Sequence, residues 1–137
     1  MATKNYEIKA KLNSDKTVTG MTSKHEILMD ATTTKGMTPL EALLNGLCGC
    51  EISVINYYGP KLFGLELQEL EMEVKAWRDP EPADEYYGLR KLSIHWIVKS
   101  NKTLEEFKEI IKYAHKTCPV FNTLSGRIVF EDTITIK

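Results

Sequence analysis

The sequence lacks any long apolar run. No window approaches the ~20 apolar residues that a transmembrane helix requires. The first residues, MATKNYEIKA, contain no apolar core of the length found in signal peptides. We therefore expect a protein that stays in the cytoplasm and has no membrane partner.

The sequence also lacks an excess of charge of either sign. Eighteen basic and nineteen acidic side chains give a formal net charge of -1, and the lysines are spread along the chain. A nucleic-acid-binding surface needs positive charge concentrated in a patch or stripe. We therefore expect no nucleic acid partner.

Cysteine is scarce, and its number is odd. Three cysteines in a chain without an export signal do not form the disulfide framework of a small secreted protein, so reduced thiols are expected. Repeats and low-complexity segments are absent as well. The length of 137 residues and the ordinary content of apolar and charged residues indicate one globular domain that covers residues 1–137.

Alternating apolar and polar residues predict several strands. They lie at 6–12, with one or two more around 18 and 25–29, and then at 65–77, 92–98 and 128–136. The opening strands are expected to pair antiparallel. The alternation changes parity near Gln68 and Glu69, which predicts a β-bulge.

Two helices have explicit start signals. Thr38, Pro39 and Glu41 form a capping box with proline at the first helical position, which predicts a helix over 39–58 that Gly59-Pro60 ends. A second capping box, from Thr103 to Glu106, opens an amphipathic helix. Pro119 forbids continuation of this helix past Cys118, and a short turn or helical stub follows. Strands and helices together predict an α+β fold.

The first helix is apolar around its whole circumference. Between Glu41 and Glu51 its only polar side chain is Asn45. One curved sheet from a short chain covers only one face of such a helix, and Gly46 and Gly49 would let a second helix approach closely. The pattern favours a symmetric homodimer, with an ordinary monomeric core helix as the alternative.

The cysteines of this helix cannot act as a pair. Residues two apart on a helix point about 200° away from each other, so Cys48 and Cys50 cannot share a metal ion or form a disulfide. The partner of either would have to be Cys118. If Cys118 caps a short helix, the exposed amides there would favour its thiolate. The residues alone leave open whether these thiols are a redox pair or inert core residues.

Two spans, GMTPLEALLNGLCGCEISVI and AHKTCPVFNTLSG, resemble the OsmC/Ohr family of osmotically inducible and organic-hydroperoxide-resistance proteins. The resemblance implies an intertwined homodimer of α+β fold, whose long central helices are wrapped by antiparallel or mixed sheets. It also implies an enzyme of oxidative stress defence that reduces organic hydroperoxides through thiols, without a metal or other cofactor.

The resemblance further implies roles for individual residues. Cys50 would attack the peroxide and become a sulfenic acid, and Cys118 would then close a disulfide that an external dithiol, a lipoylated protein in part of the family, reduces. Glu41 would support the reaction, and Cys48 would be a packing residue. The family's better-characterised peroxidases carry an arginine in an early strand, which is thought to polarise the nucleophile. The corresponding stretch here, TVTGMTSKHEILMDA, contains no arginine, and Arg78 is the residue considered as its substitute.

Other functions stay open at this level. One is a non-catalytic OsmC-like homodimer that binds a small apolar ligand or senses oxidation, and another is a thioesterase of the hot-dog type, for which no local signal exists. His115, three residues before Cys118, could belong to a Cys-His metal site, but the set of ligands would be incomplete.

Overall fold

The protein is described by a computed structural model that covers residues 2–137. The chain forms two compact units, which meet in sequence between Asn45 and Gly46. Nine helices and strands are found in the described residues: β1 (Lys9–Leu12), β2 (Val18–Met21), β3 (Glu26–Met29), α1 (Pro39–Phe63), β4 (Leu67–Arg78), β5 (Leu89–Ser100), α2 (Leu104–Thr117), α3 (Pro119–Leu124) and β6 (Val129–Ile136). This composition confirms the predicted α+β class.

The first unit contains a three-stranded antiparallel sheet in the order β1-β2-β3. Ala10 pairs with Gly20, and Gly20 pairs in turn with Ile27. The predicted antiparallel opening is thus confirmed, although β1 begins at Lys9 and not at residue 6. In the following loop the carboxylate of Asp30 accepts hydrogen bonds from the backbone N–H groups of Thr32 and Lys35, at 2.9 and 3.0 Å.

The second unit contains a sheet in the order β4-β5-β6. β4 and β5 are antiparallel, with a register shift between Leu67 and Glu69 that confirms the predicted bulge. β6 runs parallel to β5, because α2 and α3 carry the chain back before β6 begins. The inward side chains of β5 form the core with those of α2, and Trp96 meets Phe107 edge to face. No helix in residues 2–137 is long and apolar enough to cross a membrane.

The predicted end of α1 at Gly59-Pro60 is wrong, because the helix continues to Phe63. Proline removes only one N–H donor, and Pro60 lies in the last turns of the helix. The left-handed residue that ends α1 is Gly64, with φ of 64°. Gly59 has another role: a Cβ there would lie 2.6 Å from Cδ2 of Leu65, so glycine permits the chain to fold back closely over the helix.

α2 has the predicted capping box. The backbone N–H of Glu106 donates to Oγ1 of Thr103 at 3.2 Å, and the N–H of Thr103 donates to Oε1 of Glu106 at 3.1 Å. At the other end, the N–H of Cys118 donates to the carbonyl of Ala114 at 2.8 Å. Both ends of this helix are therefore defined by local sequence.

α3 starts directly where α2 stops. The sulfur of Cys118 accepts a hydrogen bond from the N–H of Phe121 at 3.3 Å, so Cys118 caps α3, the arrangement that the sequence analysis considered as a condition. The amide of Asn122 donates to the last carbonyls of α2 and the cap, those of His115, Lys116 and Cys118, at 3.1, 3.1 and 2.7 Å. These contacts hold Cys118 in a defined position at the junction.

We expect Thr103→Ala to lower the free energy of unfolding by about 1 kcal/mol, because it leaves the backbone N–H of Glu106 in the first turn of α2 without its acceptor. Urea denaturation measures the change. Thr103→Ser keeps the hydroxyl and serves as the control, with a stability close to that of the wild type. Equal stability of the alanine and serine variants would contradict a stabilising cap.

Candidate active site

The structure brings two of the predicted site residues together. Cys50 lies in α1 and Cys118 at the junction of α2 and α3, and their sulfur atoms are 2.9 Å apart, with the thiol of Cys118 donating to the sulfur of Cys50. Both cysteines are free. Cys118 has no exposed surface, whereas Cys50 is partly exposed. Only one of the two thiols is therefore open to a molecule from solution.

Burial dominates the chemistry of Cys118. It raises the pKa of this thiol to about 12, with further contributions from the hydrogen bond to Cys50 and the charge of Glu51, against the lowering effect of the Phe121 amide. The amide of Phe121 acts in the direction expected from the cap, but burial outweighs it and the pKa of Cys118 is raised overall. One amide donor does not compensate for the loss of water around the sulfur. At neutral pH Cys118 is a protonated thiol.

Cys48 lies on the same helix and is half-buried. Burial also raises the pKa of its thiol, and the charge of Glu51 adds to this. Cys48 therefore stays protonated at neutral pH, and low thiolate content makes a thiol a poor nucleophile.

A chain of charged side chains lies beside the two sulfurs. Glu51, which follows Cys50 in α1, is completely buried, and its Oε1 is 2.8 Å from Nδ1 of His115 in α2. Nε2 of His115 is 2.9 Å from Oδ2 of Asp132 in β6, and Nε1 of Trp96 donates to Oδ1 of Asp132 at 3.0 Å. Both ring nitrogens of His115 are thus bound by carboxylates.

These carboxylates keep His115 charged. Burial by itself would lower the pKa of His115, but the hydrogen bonds and charges of Asp132 and Glu51 outweigh it and raise the pKa to about 9. The resulting imidazolium compensates the buried carboxylate of Glu51, which would be costly by several kcal/mol without a partner of opposite charge. Oε2 of Glu51 has no hydrogen-bond partner within residues 2–137.

The ring of His115 is also fixed by packing. It stacks on Phe121 with 4.0 Å between the ring centroids and an interplanar angle of 12°. On the outer side, His115 and Asp132 line a cavity of about 400 Å³ together with the side chains of Lys108, Ile111, Lys112 and Ile134. This cavity connects the charged chain to the surface of the second unit.

These three residues were not predicted as a group from the sequence. His115 was considered only as a metal ligand, and no set of three or more His, Cys, Asp or Glu side chains between residues 2 and 137 is arranged to hold a metal ion. A signal for Glu51 did exist: it is an acidic residue in the middle of a largely apolar helix, directly after a cysteine. Nothing local distinguishes Asp132, because its contacts come from residues far away in sequence.

Two other residues considered from the sequence lie elsewhere. Glu41 is in the first unit, where its Oε1 accepts a hydrogen bond from the N–H of Thr38 at 2.9 Å. This contact and the Thr38 hydroxyl lower the pKa of Glu41. Arg78 is exposed at the end of β4. Supporting roles for Glu41 and Arg78 in the chemistry stay predictions.

Comparison with known proteins agrees with this architecture. The family model described as OsmC-like protein matches residues 32–131. The chain belongs to the OsmC-like family. The resemblance noted in the two cysteine-bearing spans is thus confirmed, and both Cys50 and Cys118 lie inside the matched region.

Two relatives of this OsmC-like chain carry the name hydroperoxide reductase. The one from Mycoplasma pneumoniae is 39% identical over 126 residues, which is 90% of this chain and 89% of the relative. The one from Mycoplasma genitalium is 36% identical over 136 residues, which is 97% of this chain and 96% of the relative. The similarity to both extends over nearly the whole chain.

Solved structures show the same fold. The crystal structure of an OsmC-like protein from Mycoplasma pneumoniae matches with a TM-score of 0.91 at 36% identity and 97% coverage of both chains. An organic hydroperoxide resistance protein of Bacillus subtilis matches with a TM-score of 0.63 at 16% identity, over 94% of this chain and 96% of that one. The second likeness is one of fold alone.

The charge on His115 predicts a dependence of stability on pH. Because its pKa is about 9 in the folded protein and about 6.5 when unfolded, the stabilisation is complete below about pH 6.5 and is lost as the pH rises through 9. It amounts to about 3 kcal/mol. Urea denaturation at pH 6.5 and pH 10 should show that the free energy of unfolding falls more between these pH values for the wild type than for His115→Gln.

The matched control for this measurement is His95→Gln. His95 contacts Glu73 and Thr135 from the exposed side of β5, so its replacement should leave the wild-type pH dependence in place. If His115→Gln loses as much stability as the wild type between the two pH values, His115 is not the group responsible.

Proposed function

We propose that this OsmC-like protein is a cysteine-based peroxidase that reduces organic hydroperoxides through Cys50 and Cys118. One observation supports the proposal above all others: a partly exposed thiol and a buried thiol from distant parts of the chain lie with their sulfurs 2.9 Å apart. The names of the two Mycoplasma relatives support the substrate class.

The reaction begins at Cys50. Its thiolate attacks an oxygen of the hydroperoxide, an S–O bond forms as the O–O bond breaks, and the departing alkoxide takes a proton and leaves as an alcohol. Cys50 is then a sulfenic acid. The thiol of Cys118 attacks this sulfur, the S–S bond forms as the S–O bond breaks, and the hydroxide leaves with the proton of Cys118 as water. An external dithiol, of the lipoyl type implied by the family, reduces the disulfide.

The different surroundings of the two thiols suit these roles. Cys118 is fully buried and its pKa is raised to about 12, so peroxide in solution would not oxidise it directly. It nevertheless lies beside Cys50, where proximity replaces thiolate character as the source of its rate. The enzyme would therefore form one defined disulfide and not overoxidise both thiols.

Replacement of each cysteine gives a distinct expected result. Cys50→Ser should lower the consumption of cumene hydroperoxide in the presence of a dithiol to the background rate of the buffer. Cys118→Ser should lose one thiol per chain and accumulate a sulfenic acid, detected by mass after trapping, without sustained turnover. Cys48→Ser is the control and should keep the wild-type rate.

Wild-type protein treated with the same peroxide should contain one Cys50–Cys118 disulfide and a free Cys48. Two free thiols at Cys50 and Cys118 after treatment would refute the peroxidase function.

A second candidate function has a specific observation in its favour. An apolar cleft of about 220 Å³ lies in the first unit, lined by residues of all three strands that include Ala10, Gly20, Ile27 and Met29. A non-catalytic protein could hold a small apolar ligand there, or sense oxidation through the same thiols. Such a protein would be oxidised once by peroxide and would not turn over under a supply of dithiol.

We also propose that the protein is a homodimer in the cytoplasm, with the two α1 helices in contact. In the single chain, a Cβ on Gly46 or Gly49 would have nothing within 4 Å, and the side chain of Tyr57 is 56% exposed. These residues lie on adjoining faces of α1 in the second unit. A second copy of the helix would cover them.

Gly49→Leu should shift the protein from dimer to monomer in sedimentation experiments, because a large side chain keeps the two helices apart. Lys116→Leu, which adds the same side chain at an exposed position of α2, should remain a dimer. A wild-type mass near 15.6 kDa in solution would contradict the homodimer.

A further inference from the structure

The chain of Glu51, His115 and Asp132 is buried at Glu51 and reaches the surface at Asp132. The proposed chemistry does not use it, although it touches the elements that carry both sulfurs. Glu51 directly follows Cys50 in α1. His115 lies in the last turn of α2, three residues before Cys118, which caps that helix. The contact of 2.8 Å between Glu51 and His115 therefore bridges the same two segments as the sulfur contact of 2.9 Å.

This bridge is strong and has one defined geometry. A hydrogen bond between a carboxylate and an imidazolium is short and charge-assisted, and Glu51 has no exposed surface on which another partner, such as water, could replace His115. Any displacement of α2 from α1 would leave a buried carboxylate unpaired, at a cost of several kcal/mol. The pair therefore resists separation of the two helices near the thiols.

The position of His115 is determined by its other neighbours. Asp132 binds its second nitrogen, and Trp96 holds Asp132 in turn. Phe121 stacks on the ring, and the backbone N–H of the same Phe121 donates to the sulfur of Cys118. The imidazole and the sulfur of Cys118 are thus fixed to one residue of α3, and Glu51 links this assembly to α1.

We propose that Glu51 and His115 are positioning residues for disulfide formation, which hold the sulfur of Cys118 against that of Cys50 and thereby set the rate and equilibrium of ring closure. This inference rests on the proposed function for its use in catalysis. The positioning role itself concerns only the closure of the Cys50–Cys118 disulfide, so thiol–disulfide exchange tests it without peroxide.

The equilibrium experiment uses glutathione buffers and the full chain with Cys48→Ser, which leaves only the two relevant thiols. In the exchange, two molecules of reduced glutathione reduce the protein disulfide, which gives the protein dithiol and one molecule of oxidised glutathione. Mass spectrometry of quenched samples measures the ratio of protein disulfide to protein dithiol. Glu51→Gln and His115→Gln should each destabilise the disulfide at least ten-fold, which corresponds to about 30 mV. Since Glu51 and His115 act as a unit, the disulfide of the double variant should be no less stable than that of the single variant with the less stable disulfide.

The chain offers a matched control pair on its surface. His95 and Glu73 also form a His–Glu contact, with Nδ1 and Oε2 3.3 Å apart, but on the exposed face of β4 and β5. His95→Gln and Glu73→Gln should leave the equilibrium unchanged within two-fold. Asp132→Asn, which weakens the outer support of His115, should have a smaller effect than His115→Gln and also serves if Glu51→Gln does not fold.

A kinetic experiment separates positioning from a general loss of structure. An aromatic disulfide reagent first forms a mixed disulfide with Cys50 and releases one aromatic thiolate; Cys118 then displaces a second one as the protein disulfide closes. His115→Gln should slow the second phase at least ten-fold and leave the first within two-fold. A loss of structure would alter both phases.

The pH profile of the closing phase supplies an independent test. The titratable groups that face His115 are Glu51 from α1, Asp132 from β6, and Lys108 and Lys112 around the outer cavity. In the wild type, the rate of disulfide closure should rise less steeply with pH above about pH 9, because the pKa of His115 is about 9 and the imidazolium loses its charge there. In His115→Gln this bend should be absent.

The positioning role would be overturned if the single variants kept the wild-type equilibrium and closing rate within two-fold. It would also be overturned if the effects of the two substitutions simply added in the double variant. Either result leaves the peroxidase proposal intact. The reverse failure is distinct as well. Absence of peroxide turnover in the wild type, together with the expected effects in glutathione, would refute the proposed function and retain the inference.

Discussion

Pro119 imposes the constraint on which the arrangement of the second unit depends. Its ring has no N–H and disfavours the helical conformation for the residue before it, and Cys118 is extended, with φ of -73° and ψ of 116°. α2 ends and α3 begins at this residue. The sulfur of Cys118 is thereby turned toward α1, where Cys50 lies.

The interior then separates two kinds of chemistry within a few ångströms. Burial keeps the thiol of Cys118 protonated, whereas Glu51, His115 and Asp132 form a line of alternating charge that ends at the surface. Buried charges are tolerated only as such compensated sets. The compensation here uses three different elements, α1, α2 and β6, and so ties the sheet to both cysteine-bearing segments.

Much of the local structure was predictable because its causes are local. The capping box at Thr103 and the bulge near Glu69 follow from residues within one turn or one strand, and both were confirmed. The end of α1 was not predictable in this way. Gly59 is required by contact with Leu65 after the chain has turned, and the left-handed residue is Gly64. The sequence had instead predicted that Gly59 is the left-handed residue and that Pro60 stops the helix.

The site shows the same division. The sequence by itself determined which thiols could pair, because helix geometry separates Cys48 from Cys50 and leaves Cys118 as the partner. It also predicted the end of α2 at Cys118, because Pro119 follows directly. Only the tertiary structure decided the protonation state of that thiol and the link from Glu51 through His115 to Asp132. Both depend on burial and on the approach of residues 17 to 64 positions apart, and spacing along the chain contains no information on how much water remains around a group.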